Sequence, residues 1–330
     1  MFLVVQTILQ FLVGIMVLAW GGIATYVAGV GSLSLSNSRF FPNEFIGRPK
    51  VFPAIVGIIL LGVGVALLVV AAGCGTKTDQ GPPPAEPAPP PAVADPAPAP
   101  AAPVVTPVIQ AIVDAPDRSP DDRALDAGRH PGELLAFMGV APKMRVAELI
   151  VGGGYTAELL ARAVGPEGKV YAQNNERVNG FAGDRWSARL ATPALANVVR
   201  VDRELEDPLP PEARNLDIVV MHLFYHDTYW MKVDRAKMNR AILAALKPGG
   251  LYVVVDHSAR PGAATTEVET LHRIEEGEVE RDVLAAGFVL DRKGDFLRNP
   301  ADTRDWNASP RAAGEKRGTS DRFALVFRKP

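Results

Sequence analysis

The stretch AELIVGGGYTAELLA, residues 147–161, decides how the rest of this chain reads. Its first half belongs to a short apolar run, Met144–Ile150, with the composition of a buried strand. Its second half, Tyr155–Ala163, has the apolar spacing of a helix. Between them stand Gly152, Gly153 and Gly154. Glycine tolerates positive φ and lets a ligand approach bare backbone. A helix that opens behind such a turn offers unpaired N–H groups. Glu148, inside the strand end, is placed to accept a hydrogen bond from a bound polar group or from the loop itself. A glycine turn required only for packing remains the plain alternative.

Outward from this unit the pattern alternates. Lys169–Ala172 and Asn197–Val201 read as strands, and Leu216–Met221 as a strong one. Asp234–Leu246 reads as a helix, ended by Lys247-Pro248-Gly249-Gly250, because glycine caps and proline cannot continue it. Leu251–Val255 is a buried strand, Thr270–Ala286 an amphipathic helix, and Phe288–Leu290 with Phe323–Phe327 close the chain as strands. Strands alternating with helices predict an α/β fold, a doubly wound and mostly parallel sheet of seven strands. The last two strands are separated only by the polar loop Arg298–Arg317, which predicts an antiparallel strand at the sheet edge. Ligands of such sheets sit beyond the carboxyl ends of the strands.

The 330 residues are unevenly composed, with a formal net charge of −2. Nothing in that balance resembles the basic stripe of a nucleic-acid binder, and none is expected as a partner. Residues 1–75 are apolar. Phe2–Val30 and Val51–Gly73 carry no charge and are long enough to cross a bilayer core of about 30 Å. The connector holds Arg39, Arg48 and Lys50 against Glu44, which predicts that it stays cytoplasmic and that both flanks face away. Alternatively Arg48 and Lys50 open an export signal that ends in Ala71-Ala72-Gly73-Cys74, similar to a bacterial lipoprotein cleavage box. Either reading predicts a membrane-anchored protein of the cell envelope with its C-terminal domain on the non-cytoplasmic side. Residues 76–110 read as a Pro/Ala-rich disordered linker, extended and polyproline-like, and 111–330 as the globular domain. Cys74, the single cysteine, excludes an internal disulfide framework.

Glu148 before the glycine loop, the Lys247–Gly250 turn and the closing strand pair together resemble class I S-adenosylmethionine-dependent methyltransferases. More narrowly the chain resembles a bacterial family of predicted, often exported, methyltransferases. The stretches that carry this are AELIVGGGYTAELLA, GKVYAQN (168–174), VVVDHSARPG (253–262), LHRIEEGEVERDVLAAGF (271–288), LRNPADTRD (297–305) and TSDRFALVFRKP (319–330). They span roughly residues 115–330. The resemblance implies S-adenosylmethionine as cofactor, bound by Glu148, Gly152, Gly153 and Gly154, with Asn174 at the ribose and Glu204 at the adenine. The chain departs from the pattern at Ile150, where a glycine is usual, and at Gln173-Asn174, where an acidic residue is usual.

Methyl transfer to oxygen or nitrogen needs alignment and a base. Three histidines follow strand ends, His222 and His226 after the fourth and His257 after the fifth. His226 is the first candidate base and His257 the second, with Asp256 or Asp227 as orienting carboxylates. The plain alternative is that these groups cap strand ends. The spacing of His222 and His226 also suits a metal, but the intervening sequence is not a firm helix and no metal site is assigned. His130 and His272 read as structural. Two functions follow: methyl transfer to an unknown small-molecule or protein acceptor, or a catalytically inactive, tethered binding domain on the same fold. The second is favoured by the predicted location, where the cofactor is not expected.

Overall fold

The computed structural model describes residues 102–330. The expected spans, the box at Cys74 and the spacer up to residue 101 lie outside the described residues. Among the described residues no helix is long and apolar enough to cross a membrane.

Part of the stretch expected to be linker is helical. Helix α1, Pro107–Val113, is capped by Thr106, whose hydroxyl accepts from the Ile109 N–H at 3.3 Å. Helices α2, Pro120–Arg129, and α3, Pro131–Met138, follow. All three start on proline, whose fixed φ and missing N–H suit a first helical turn.

The sheet comprises β1 Arg145–Leu149, β2 Lys169–Asn174, β3 Val198–Asp202, β4 Leu216–His222, β5 Leu246–His257, β6 Val289–Gly294 and β7 Arg322–Arg328. Its order is β3-β2-β1-β4-β5-β7-β6. Strands β1 to β5 run parallel, and β7 is antiparallel to both β5 and β6. The expected antiparallel strand is thus present, inserted one place in from the edge. The chain reverses order between β1 and β4, the place where ligands of such sheets bind.

Strand side chains alternate between the two faces, which separates the core into two layers. Val146, Ile218, Val220, Val253, Val255, Ala324 and Val326 pack under α3 and helix α4, Tyr155–Val164. Ala147, Leu149, Val219, Met221, Val254, Leu325 and Phe327 pack on the opposite face with helices α7, Arg235–Ala245, and α8, Glu276–Ala285. Helix α5, Glu176–Leu190, escaped the sequence reading. Only Val178, Ala182 and Trp186 of it are buried, a stripe too narrow to give a strong period. A short helix α6, Asp227–Trp230, follows β4.

Two expectations are corrected. The Lys247–Gly250 turn does not cap a helix: α7 ends at Ala245, and 247–250 form the irregular start of β5, where the register against β4 shifts. The Gly249 N–H donates to the Lys329 carbonyl there at 3.0 Å. The helix expected from Thr270 begins only at Glu276. The fully buried Arg273 holds the preceding segment out of helix by donating to Asp302, the Ser258 carbonyl and the Trp306 carbonyl.

Candidate functional site

The glycine loop leaves β1 in a left-handed conformation at Ile150 (φ 57°). A β-branched residue is costly there, so the loop must be held from outside. The end of β2 does this. The Ile150 N–H donates to Gln173 Oε1 at 3.0 Å. The Gly152 N–H donates to Asn174 Oδ1 at 2.9 Å, and Asn174 Nδ2 donates back to the Gly152 carbonyl at 3.1 Å. The departures from the acidic pattern are thus explained: an amide satisfies a donor and an acceptor at once, which a carboxylate cannot. Asn174 is fully buried. One acceptor and one donor site of its side chain are engaged by the loop, which competes with the ribose role that the resemblance implies.

The three glycines are not equivalent. A Cβ on Gly154 (φ 87°) would stand 2.4 Å from the Trp186 ring, so its role is the packing of α5 on the loop. A Cβ on Gly153 would meet the Arg185 guanidinium at 3.7 Å. Gly152 (φ 55°) faces open space. Glu204 is exposed after β3, its carboxylate accepting from the Glu176 N–H at 3.3 Å.

Beside this loop, residues of four strands meet on one face. Glu148 of β1, His222 of β4, His257 of β5 and Arg322 of β7 carry the parity of the layer under α4, at the carboxyl edge of the parallel strands. Glu148 is buried, and burial pushes its carboxyl up to about 8, against a hydrogen bond from Thr156 and the charges of Arg129 and Arg189. Its Oε2 has no partner. The Thr156 hydroxyl also lies 3.0 Å from His222 Nδ1, and His222 Nε2 has no partner either. Burial, then the charges of Arg129 and Arg322, hold His222 well below the usual histidine range. His257 is likewise held low, by burial and then by Arg322, with Nδ1 2.8 Å from the Ser320 hydroxyl. Arg129 lies over the Tyr155 ring at 4.3 Å. Orphaned polar atoms in a native interior are rare and cost about 1–3 kcal/mol each. Two of them one threonine apart, beside a loop with an open glycine, mark a place built for a polar ligand.

The other candidates turn to the opposite face. The Asp256 side chain accepts from the His226 N–H (2.7 Å) and the His257 N–H (2.8 Å), and its Oδ1 lies 2.7 Å from His226 Nδ1. His226 Nε2 is 3.1 Å from Asp227 Oδ1 and 3.2 Å from His272 Nδ1. Burial alone would lower His226, but Asp256 and then Asp227 outweigh it and hold it up at about 10. Asp227 moves the opposite way: burial would raise its carboxyl, but the His226 charge and the hydrogen bonds of His226, His272 and Trp230 hold it well below the usual carboxylate range. In this arrangement His226 carries its proton at neutral pH and is poorly suited to accept another. His257, held low, is left neutral where His226 keeps its proton.

Sequence reasoning placed His226, His257, Asp256 and Asp227 near one edge, and they are there. It missed that Thr156 stands between Glu148 and His222, and that His272 lies beside His226 and Asp227. Strand parity was the available signal: Glu148, His222 and His257 fall on one face once the registers are known.

No protein-family model matches this chain, and no curated protein matches it. Solved structures do align with it. A SAM-dependent methyltransferase from Aquifex aeolicus is 20% identical, with 67% of this chain and 98% of that one covered at a TM-score of 0.44. An S-adenosylmethionine-dependent methyltransferase from Mesorhizobium loti is 18% identical over 62% and 99% of the two chains, at a TM-score of 0.42. The cyclase SpnF is 18% identical over 68% and 92%, at a TM-score of 0.43.

Proposed function

We propose that the C-terminal domain is an S-adenosylmethionine-dependent methyltransferase whose cofactor binds at the carboxyl edge, against Gly152 and Glu148. The observation that carries this is the orphaned, buried Glu148 Oε2 beside a glycine that faces open space. A cationic ligand group next to Glu148 supplies the missing partner and favours the ionised carboxylate. The residues present therefore fit the cofactor at its charged end. They fit less well at the ribose, because Asn174 is already engaged.

When bound, S-adenosylmethionine supplies a methyl group on a cationic sulfonium. The chain contributes the rest. Glu148 holds positive charge, and the buried strand ends exclude water. His257, kept neutral, is the group suited to take the proton of an oxygen or nitrogen acceptor. Asp256 accepts the His226 and His257 amides and so fixes the chain where it leaves β5.

A second reading is a binding domain without catalysis. It is favoured by the same Asn174 clamp and by Gly154, whose missing side chain serves Trp186. Titration of the full chain with S-adenosylmethionine and with S-adenosylhomocysteine separates the two. Methyl transfer predicts affinity tighter than ~1 mM, a binding free energy beyond about 4 kcal/mol. A folded chain that binds neither supports the second reading. The apolar character of residues 1–75 supports anchoring of either kind of domain in a bacterial envelope membrane, facing away from the cytoplasm. A reporter fused after Pro330 is then active only outside the cytoplasm, and cytoplasmic activity would reverse that topology.

A further inference from the structure

We propose that His226, Asp227 and His272 form a site for a first-row divalent transition-metal ion, on the face of the sheet opposite Glu148. The donor atoms are His226 Nε2, Asp227 Oδ1 and His272 Nδ1. Their mutual separations are 3.1, 3.2 and 3.0 Å. Three ligands at about 2.0–2.1 Å from one zinc-like ion stand roughly 2.8–3.0 Å apart in octahedral geometry and roughly 3.3–3.4 Å apart in tetrahedral geometry. The triangle falls within that span.

Without an ion, the three groups form a hydrogen-bonded cluster around Asp227. Both ring nitrogens reach the same carboxylate oxygen, and they also stand 3.2 Å from each other. If both donate to Asp227, two N–H groups lie side by side. An ion accepts all three lone pairs together.

The surroundings are those of a metal ligand set. His226 Nδ1 lies 2.7 Å from Asp256 Oδ1, the carboxylate–histidine support that fixes a ring so that its other nitrogen ligates. The Trp230 indole N–H donates to Asp227 at 2.6 Å and fixes that carboxylate. An ion that binds here displaces the proton of His226, and the two carboxylates, Asp256 and Asp227, then supply the −2 that a divalent ion neutralises. Two imidazoles and one carboxylate favour zinc, cobalt, nickel or iron over magnesium or calcium. Three protein ligands leave a position for water or another ligand, as in catalytic rather than structural zinc sites. His272 and Asp227 are partly exposed, which gives an ion a way in.

The test does not involve methyl transfer, so it stands or falls independently of that reading. The full chain is stripped with a chelator and titrated with Co²⁺, and binding is followed by visible ligand-field absorption and by metal analysis after dialysis. One equivalent per chain is expected, displaced by Zn²⁺. His272→Ala, at a partly exposed position, and Asp227→Asn, a near-isosteric change, should each remove most of that binding. Asp256→Asn should weaken it about 10- to 100-fold through the loss of ring support. His130→Ala, away from the cluster, should leave it unchanged. No bound equivalent in the parent chain, or undiminished binding in both His272→Ala and Asp227→Asn, would overturn the assignment.

Discussion

A buried carboxyl group with one unpartnered oxygen has a sign to its pH dependence. Glu148 has an ordinary value of 4.5 and is pushed to about 8 in the fold. Between those two values the folded chain keeps a proton that the unfolded chain has released. Stability contributed by this group is therefore full below about 4.5, falls as pH rises, and levels off above about 8. Denaturant midpoints measured across pH 4 to 9 should show a decline that Glu148→Gln flattens. An unchanged profile in Glu148→Gln would mean that the group is solvated. Asn174 gives a second prediction at this scale. Asn174→Ala removes both hydrogen bonds to Gly152 and should cost about 1–3 kcal/mol by urea unfolding. A cost near zero would show that the loop holds its left-handed start without help.

At the scale of elements, the glycine loop and α5 act as one unit. Gly154→Ala places a methyl group inside the Trp186 ring and should destabilise by about 2–4 kcal/mol, from overpacking and from positive φ. Gly152→Ala faces open space, so its cost should stay near 1 kcal/mol and fall mainly on ligand affinity. Equal stability losses in the two variants would contradict this division. The strands were legible because apolar and β-branched runs betray burial on both faces, and β7 in particular is buried along almost its whole length. Helix α5 was not, since its contribution to the core rests on three side chains, and neither was the refusal of Thr270–Ile274 to be helical. That segment is set by Arg273 and Asp302, which are distant in sequence, and periodicity carries no trace of such a bond. Within the site, proximity to strand ends was legible for all four catalytic candidates. Their charge states were not, because these depend on which carboxylate faces which ring across the sheet.

At the scale of the whole domain, the N-terminal helices are tied to the loop helix by charge. Arg189 of α5 bridges Asp122 of α2 (2.5 Å) and Glu158 of α4 (2.7 Å), and Arg162 continues the network from Glu158 to Asp117. Arg189→Met leaves two mostly buried carboxylates without their shared cation. It should cost about 1–3 kcal/mol, less than a fully buried pair because the side chains are partly wet. Thermal unfolding of the variant at low and high salt checks this, and a loss that salt abolishes in the parent would place the network at the surface instead. Glu148 is 3% exposed, and Arg129 of α2 and Arg189 of α5 act on it through their charges. The central claim is that this enclosed carboxylate is a cofactor contact. A crystal structure of the full chain with S-adenosylhomocysteine tests it most directly. The account predicts the ligand's amino group within hydrogen-bond distance, ~3 Å, of Glu148, with its chain against Gly152. A ligand bound elsewhere, or a chain that crystallises folded and empty at saturating ligand, would contradict it.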